Sequence, residues 1–130
     1  MGGGWSAAEY VCHLRDVYAT STLRVHFARL SENPTVEPMF NDVRAERFRY
    51  NERDVAPVVA ELDHTVTGFL EEVAAVRDSD WERTFERLRG EIRTIRWLVR
   101  NAAHEGVHHV GDIQRVIADA RQEIVLPRSP

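Results

Sequence analysis

The chain reads Thr94-Ile95-Arg96-Trp97-Leu98-Val99-Arg100-Asn101-Ala102-Ala103-His104-Glu105-Gly106-Val107-His108-His109, then Val110-Gly111-Asp112-Ile113-Gln114-Arg115-Val116. Ile95, Val99, Ala102, Gly106, position 109, Ile113 and Val116 recur in alternating steps of four and three. That is the stripe of one helix face. Thr94 stands where its hydroxyl can cap the first turn, and the spacing predicts a helix from there to about Ala120. His109 falls on the core-facing stripe itself. His108 lies beside it, and His104 further round.

The run from His104 to His109 holds three of the six histidines and an acid. Residues four apart share a helix face, so two chelating pairs are available: His104/His108 and Glu105/His109. Imidazole and carboxylate are natural ligands for zinc and similar divalent metals. A third ligand has to come from another helix.

Upstream, Ser6-Ala7-Ala8-Glu9 is a capping box, with Trp5 placed as a hydrophobic staple. Val11, Leu14, Val17, Tyr18 and Val25 continue at helical spacing, so the first helix is expected to run to about Leu30. It stops before Asn33-Pro34, because the residue ahead of proline is disfavoured in a helix. Met1-Gly2-Gly3-Gly4 is too flexible to form an element and reads as a lead-in. Residues 33–50 read as a loop with one short turn, punctuated by Pro34, Pro38 and Asn41-Asp42. Arg44, Arg47, Phe48, Arg49 and Tyr50 close it as a packed loop with a solvated arginine face. A second long helix begins near Asp54, with Pro57 in its first turn. Its stripe is Val58, Val59, Leu62, Val66, Phe69, Leu70 and Val73, and it ends near Val76. Ser79-Asp80-Trp81 opens an irregular stretch that Gly90 breaks. Residues 5–122 thus form one domain, and 123–130 read as an extended or frayed tail.

Three long helices with no convincing strand predict an all-α helical bundle. The length, 130 residues, suits a single core. All 17 positive residues are arginine and the formal net charge is −4, so no basic field draws in nucleic acid. No apolar run approaches membrane-spanning length and nothing reads as a signal peptide. One cysteine, Cys12, excludes an internal disulfide framework. The expected compartment is the cytoplasm.

His13, one turn after Glu9 and beside the first stripe, is the best third ligand. Two sets compete: His13 with Glu105 and His109, or His13 with His104 and His108. The stripe favours the first, because His109 must face the bundle interior. Three ligands leave a position open, as catalytic rather than structural sites do. Asp112, three residues after His109, can accept its second ring N–H, and Asp16 stands in the same relation to His13. Each aspartate alone reads equally as a surface carboxylate. His104-Glu105-Gly106-Val107-His108 also matches the zincin H-E-x-x-H pattern, but that fold needs a substrate-aligning edge strand and more chain downstream. Cys12 points about 100° away from His13 on the helix and reads as a buried thiol, not a ligand.

Trp5-Ser6-x-x-Glu9-x-x-x-His13-Leu14-x-Asp16 resembles the start of the second helix of the DinB/YfiT-like superfamily. Trp97-Leu98-Val99-x-x-Ala102-x-His104-Glu105-x-x-His108-His109-x-x-Asp112-Ile113 resembles that family's last helix. The resemblance covers most of residues 5–120. It implies a four-helix bundle holding a divalent metal, zinc or nickel, by three side chains. Aligning the final histidine with His109 places Glu105 at its pair position, as in the mycothiol-dependent maleylpyruvate isomerase branch. A slip of one residue would substitute His104 and His108. The family also carries a long helix ahead of the Trp-Ser segment. Only Met1–Gly4 precede it here, so the expectation is a truncated start or a helix replaced by a partner. The groove thus exposed predicts a homodimer.

Three functions follow as expectations. The first is a metal-dependent S-transferase or isomerase that activates a low-molecular-weight thiol (mycothiol or bacillithiol) against an electrophile. The second is a metal-dependent hydrolase with His104 and His108 as ligands and Glu105 as base. The third is a non-catalytic dimerisation or stress-associated module.

Overall fold

The computed structural model describes residues 4–88 and 90–125. Three long helices dominate it: α1 (Ala7–Leu30), α3 (Val55–Ala74) and α4 (Ile95–Val125). A short helix, α2 (Asn41–Arg47), lies between the first two. Three small strands accompany them: β1 (Thr35–Val36), β2 (Thr84–Arg87) and β3 (Glu91–Thr94). Met1–Gly3 and residues 126–130 lie outside the described residues, so the lead-in and most of the tail are not placed. No helix among the described residues is long and apolar enough to cross a membrane.

Helix α1 starts as its sequence demands. Glu9 N–H donates to Ser6 Oγ at 3.2 Å, and Ser6 N–H donates to Glu9 Oε1 at 3.0 Å. Two amides that helix geometry leaves orphaned are satisfied reciprocally. Helix α4 starts on Thr94, whose hydroxyl accepts from Trp97 N–H at 3.1 Å. The helix runs to Val125, past the expected end at Ala120 and three residues into the expected tail.

The expectation of no strand is corrected. β2 pairs antiparallel with β3 and parallel with β1, in the order β1-β2-β3. The β2–β3 turn takes left-handed backbone at Leu88 (φ 53°) and Gly90 (φ 72°), the conformation that closes tight hairpins. Only glycine adopts it without strain, which is why the break at Gly90 marks a turn rather than an irregular stretch. The expected loop over 33–50 also contains more structure than one turn: β1, α2 and the start of a 3₁₀ segment at Tyr50–Glu52.

Helix α1 is the spine, and α3 and α4 each pack chiefly against it. It contributes to both buried clusters. Val25 and Ala28 meet Val36, Phe69, Phe85, Ile95, Leu98 and Ala102 near the sheet. Val11 and Cys12 meet Ala45, Tyr50 and Val58 at the other end. Tyr18 Oη donates to the Ala102 carbonyl and Ile113 packs beside the Val11 cluster, so α4 runs antiparallel to α1. An apolar groove of about 640 Å³ lies along Leu14, Tyr18, Leu62, Val66, Val107 and Val110.

Candidate metal centre

The antiparallel crossing of α1 and α4 brings His13, Glu105 and His109 together, with one ligand atom from each within 4.8 Å of the others. His13 and His109 are buried, at 2% and 3% exposure, and Glu105 is half-buried. The rings of His13 and His109 meet edge to face at 4.8 Å. Trp5 packs on the outer side of His13 at 5.1 Å and Tyr10 on His109 at 5.4 Å. The staple residue therefore also walls the centre.

His109 sits between two carboxylates. Its Nδ1 is 3.0 Å from Asp112 Oδ2 and its Nε2 is 2.9 Å from Glu105 Oε2. A neutral imidazole carries one N–H, so whichever nitrogen is protonated, the other turns a lone pair toward a carboxylate oxygen. Burial, the largest influence, pushes His109 below its ordinary pKa and toward that neutral form. Glu105 is held below the usual carboxylate range, chiefly by the His13 ring and also by His109, so it stays ionised. His13 Nε2 stands 3.6 Å from Glu105 Oε2, an ion-pair distance too long for a hydrogen bond. That nitrogen is buried and has no hydrogen-bond partner.

A buried donor atom without a partner carries a desolvation cost. Lone pairs aimed at one another add repulsion. A cation among them relieves both, so the residues present fit a divalent metal. Ligands on a tetrahedral ion at about 2.0–2.1 Å stand about 3.4 Å apart, and the 2.9 and 3.6 Å spacings bracket that edge. With Nδ1–H given to Asp112, Nε2 of His109 is the ligating atom. Arg115 braces Asp112 from the solvent side.

The other sequence candidates lie elsewhere. The His104 and His108 rings are exposed and stack on each other at 6.2 Å. Neither joins His13, so the crossing does not assemble the His13/His104/His108 set. Glu105 faces away from them, which separates the parts of the H-E-x-x-H pattern. His108 does approach Asp112 and His109, as the exposed member of a second group whose other two residues are buried. Asp16, read as a partner for His13, instead accepts from Tyr50 Oη, Arg44 Nε and Arg15 Nε. Three donors from α1, α2 and the 3₁₀ segment outcompete one ring nitrogen. Cys12 is fully buried in the second cluster, and burial pushes its thiol up from its ordinary pKa. It takes no part in the centre.

Sequence reasoning missed the space beside the centre. A cavity of about 300 Å³ opens from His13 and Glu105 past Val17, Trp97 and Asn101 toward the sheet. Its signal was available: His13, Val17 and Ser21 follow in steps of four along one face of α1, and Leu98, Asn101 and Glu105 do the same in steps of three and four on α4.

Fold and centre together define a class: helical bundles that gather a His–Glu–His donor set where two antiparallel helices cross. Residues 1–113 match the model of the DinB superfamily, and the chain belongs to that superfamily. A protein of Oceanobacillus iheyensis, provisionally named metal-dependent hydrolase OB0782, is 27% identical over 114 residues. The match takes in 85% of this chain and 64% of that protein, so the chain spans somewhat under two-thirds of the relative's length. YfiT of Bacillus subtilis superposes with a TM-score of 0.80 at 22% identity, over 91% of this chain and 68% of YfiT. Its structure is described as an unusual four-helix bundle topology, and the likeness establishes the fold.

Proposed function

We propose that this chain is a metal-dependent hydrolase of small molecules, with His13, Glu105 and His109 as ligands of one divalent ion. The observation that carries the reading is His109 held between two carboxylates beside the unpartnered nitrogen of His13. The nitrogen and oxygen donors suit zinc or nickel. A divalent ion held by three side chains supplies Lewis acidity to a group that completes its coordination. The chain's own residues do the rest. Asp112 fixes the tautomer of His109, Trp5 and Tyr10 exclude water from the outer side, and the cavity positions a substrate against Glu105. The names given to the Oceanobacillus and Bacillus proteins, each provisionally described as a metal-dependent hydrolase, support hydrolysis.

Thiol transfer to an electrophile, with mycothiol or bacillithiol, would use the same open position. The two are separated by turnover: hydrolysis of ester or amide substrates proceeds without added thiol and stops with chelator. The founding experiment is elemental analysis of wild type beside His109→Ala. About one metal per chain is expected in the wild type, falling to a trace in the variant. No uptake of zinc or nickel by the wild type overturns the reading and leaves a non-catalytic helical module.

A second copy of the chain is the partner we propose for the apolar groove. Val107 is 78% exposed and Val110 and Ile117 continue its row on the same face of α4, so ridge and groove belong to one surface. A ridge and groove on one surface are what two copies need to pair about a two-fold axis. Sedimentation equilibrium is expected to give a dimer that Val107→Glu dissociates, and a monomeric wild type overturns the pairing.

A further inference from the structure

The cavity beside the centre is polar at both ends, with opposite signs. Glu105 and the bare nitrogen of His13 occupy one end. Arg24 of α1 and Arg87 of β2 line the other. Arg24 is half-buried and donates to the Glu37 carbonyl, but no carboxylate among the described residues lies within ion-pair distance of it. Burial and the neighbouring Arg87 charge both push its guanidinium down from its ordinary value. Arg87 pairs with Glu91 at 2.8 Å, yet Arg93 claims the same carboxylate. Both guanidiniums lie over the Trp97 ring, at 4.7 and 5.2 Å. Arg87 and Arg93 therefore share one acid, and Arg24 has none among the described residues. Asn41 Oδ1 also lines this space, buried and without a hydrogen-bond partner.

A half-buried guanidinium with no acid of its own, facing a second one whose only acid is shared, costs stability that an anion joining them would offset. A planar fork of donors matches carboxylate or phosphate geometry. We propose that Arg24 and Arg87 form the seat for the anionic group, carboxylate or phosphate, of an elongated small substrate whose other end reaches His13 and Glu105. Eleven residues separate His13 from Arg24, about 16 Å of helix axis. An arginine on a helix leans back toward the N-terminus, which shortens the gap to the span of a short chain. The unpaired Asn41 oxygen accepts an N–H or O–H from the same molecule. Which end of the substrate reacts rests on the metal reading above; the anion seat does not.

The test uses metal-free protein in chelator, so that it stands apart from metal uptake. Hexanoate, hexyl phosphate and hexan-1-ol are titrated by ligand-observed NMR. Saturable binding of an anion, with none by the alcohol, is the expected result, and the tighter anion names the head group. Arg24→Gln is expected to weaken that binding by about tenfold or more, the loss of a charge-assisted hydrogen bond, while Arg24→Lys restores part of it. Arg87→Gln, on the sheet, gives the second variant should Arg24→Gln lose its helical circular dichroism. Equal binding of anion and alcohol overturns the proposal. So does no anion binding by the wild type, or wild-type affinity in folded Arg24→Gln.

Discussion

Asp112 shows how much of the centre rests on a residue that is not itself a ligand in the proposed set. Its carboxylate lies 3.0 Å from Nδ1 of His109, and by accepting an N–H there it would leave the Nε2 lone pair to face the other ligands. Asp112→Asn keeps the shape but replaces the acceptor by an amide that can turn its NH₂ to the ring. Metal affinity is expected to fall about 10- to 100-fold, the usual effect of losing such a partner, measured by competition with a chromophoric chelator. Glu105→Gln divides its two roles: metal lost identifies a ligand, and metal kept with turnover lost identifies a base. At this scale much was legible. His109 falls on a stripe that must face the core; spacing offers both the Glu105/His109 and His104/His108 pairs, and the stripe favours the one that lies beside His13. The role of Asp16 was not legible, because its competitors Tyr50 and Arg44 come from a segment whose folding has no periodic signature. The pairing of Arg24 with Arg87 is not legible either: Arg24 lies on the periodic first helix, but Arg87 reaches it from a hairpin that has no periodic signature.

Between elements, the α1–α4 crossing is set by one small residue. A Cβ added at Gly106 would lie 2.2 Å from Tyr18 Oη, the atom that hydrogen-bonds Ala102 across the two helices. Glycine in a helix interior is ordinarily the weaker choice by about 1 kcal/mol relative to alanine. Here the sign reverses, because overpacking costs about 1–3 kcal/mol. Gly106→Ala is expected to lower stability in urea, and adding Tyr18→Phe should recover most of the loss by removing the clashing oxygen. A Cβ added at Gly68 on α3 would meet nothing within 4 Å. Gly68→Ala should therefore stabilise by about 0.5–1 kcal/mol. The helices were readable because capping boxes and 3.6-residue stripes are local signals. The hairpin was not, since two four-residue strands offer too few alternations and only Phe85 is fully buried on them. Its place in the fold depends on the left-handed turn and on packing of Phe85 with Val25 and Val36, which are distant in sequence.

For the molecule as a whole, the proposed ligands come from both ends of the chain. His13 lies on the spine and Glu105 and His109 on the last helix, so an ion held there ties the two together. Binding to the native state alone stabilises by about 2.7 kcal/mol at a free metal concentration 100 times Kd. For a domain of this size that is a rise in Tm of about 10 °C. Zinc added to chelator-treated protein is expected to produce such a shift in calorimetry, and His13→Ala should abolish it. A shift of equal size in that variant would place the bound zinc elsewhere.

Helix α4 outruns its support. From Gln114 through Glu123 it is exposed except at Val116, because α1 has already ended at Ser6 on the facing side. Backbone hydrogen bonds out there close and open at little expense, whereas those beside Val25 and Ala102 break only when the whole chain unfolds. His109 and Asp112 occupy the last turn before that change. The proposed donor set thus straddles a border between a rigid scaffold and a fraying rod. An occupied centre would move that border outward, so the length of ordered helix at the end of the chain becomes a gauge of whether the ion is present.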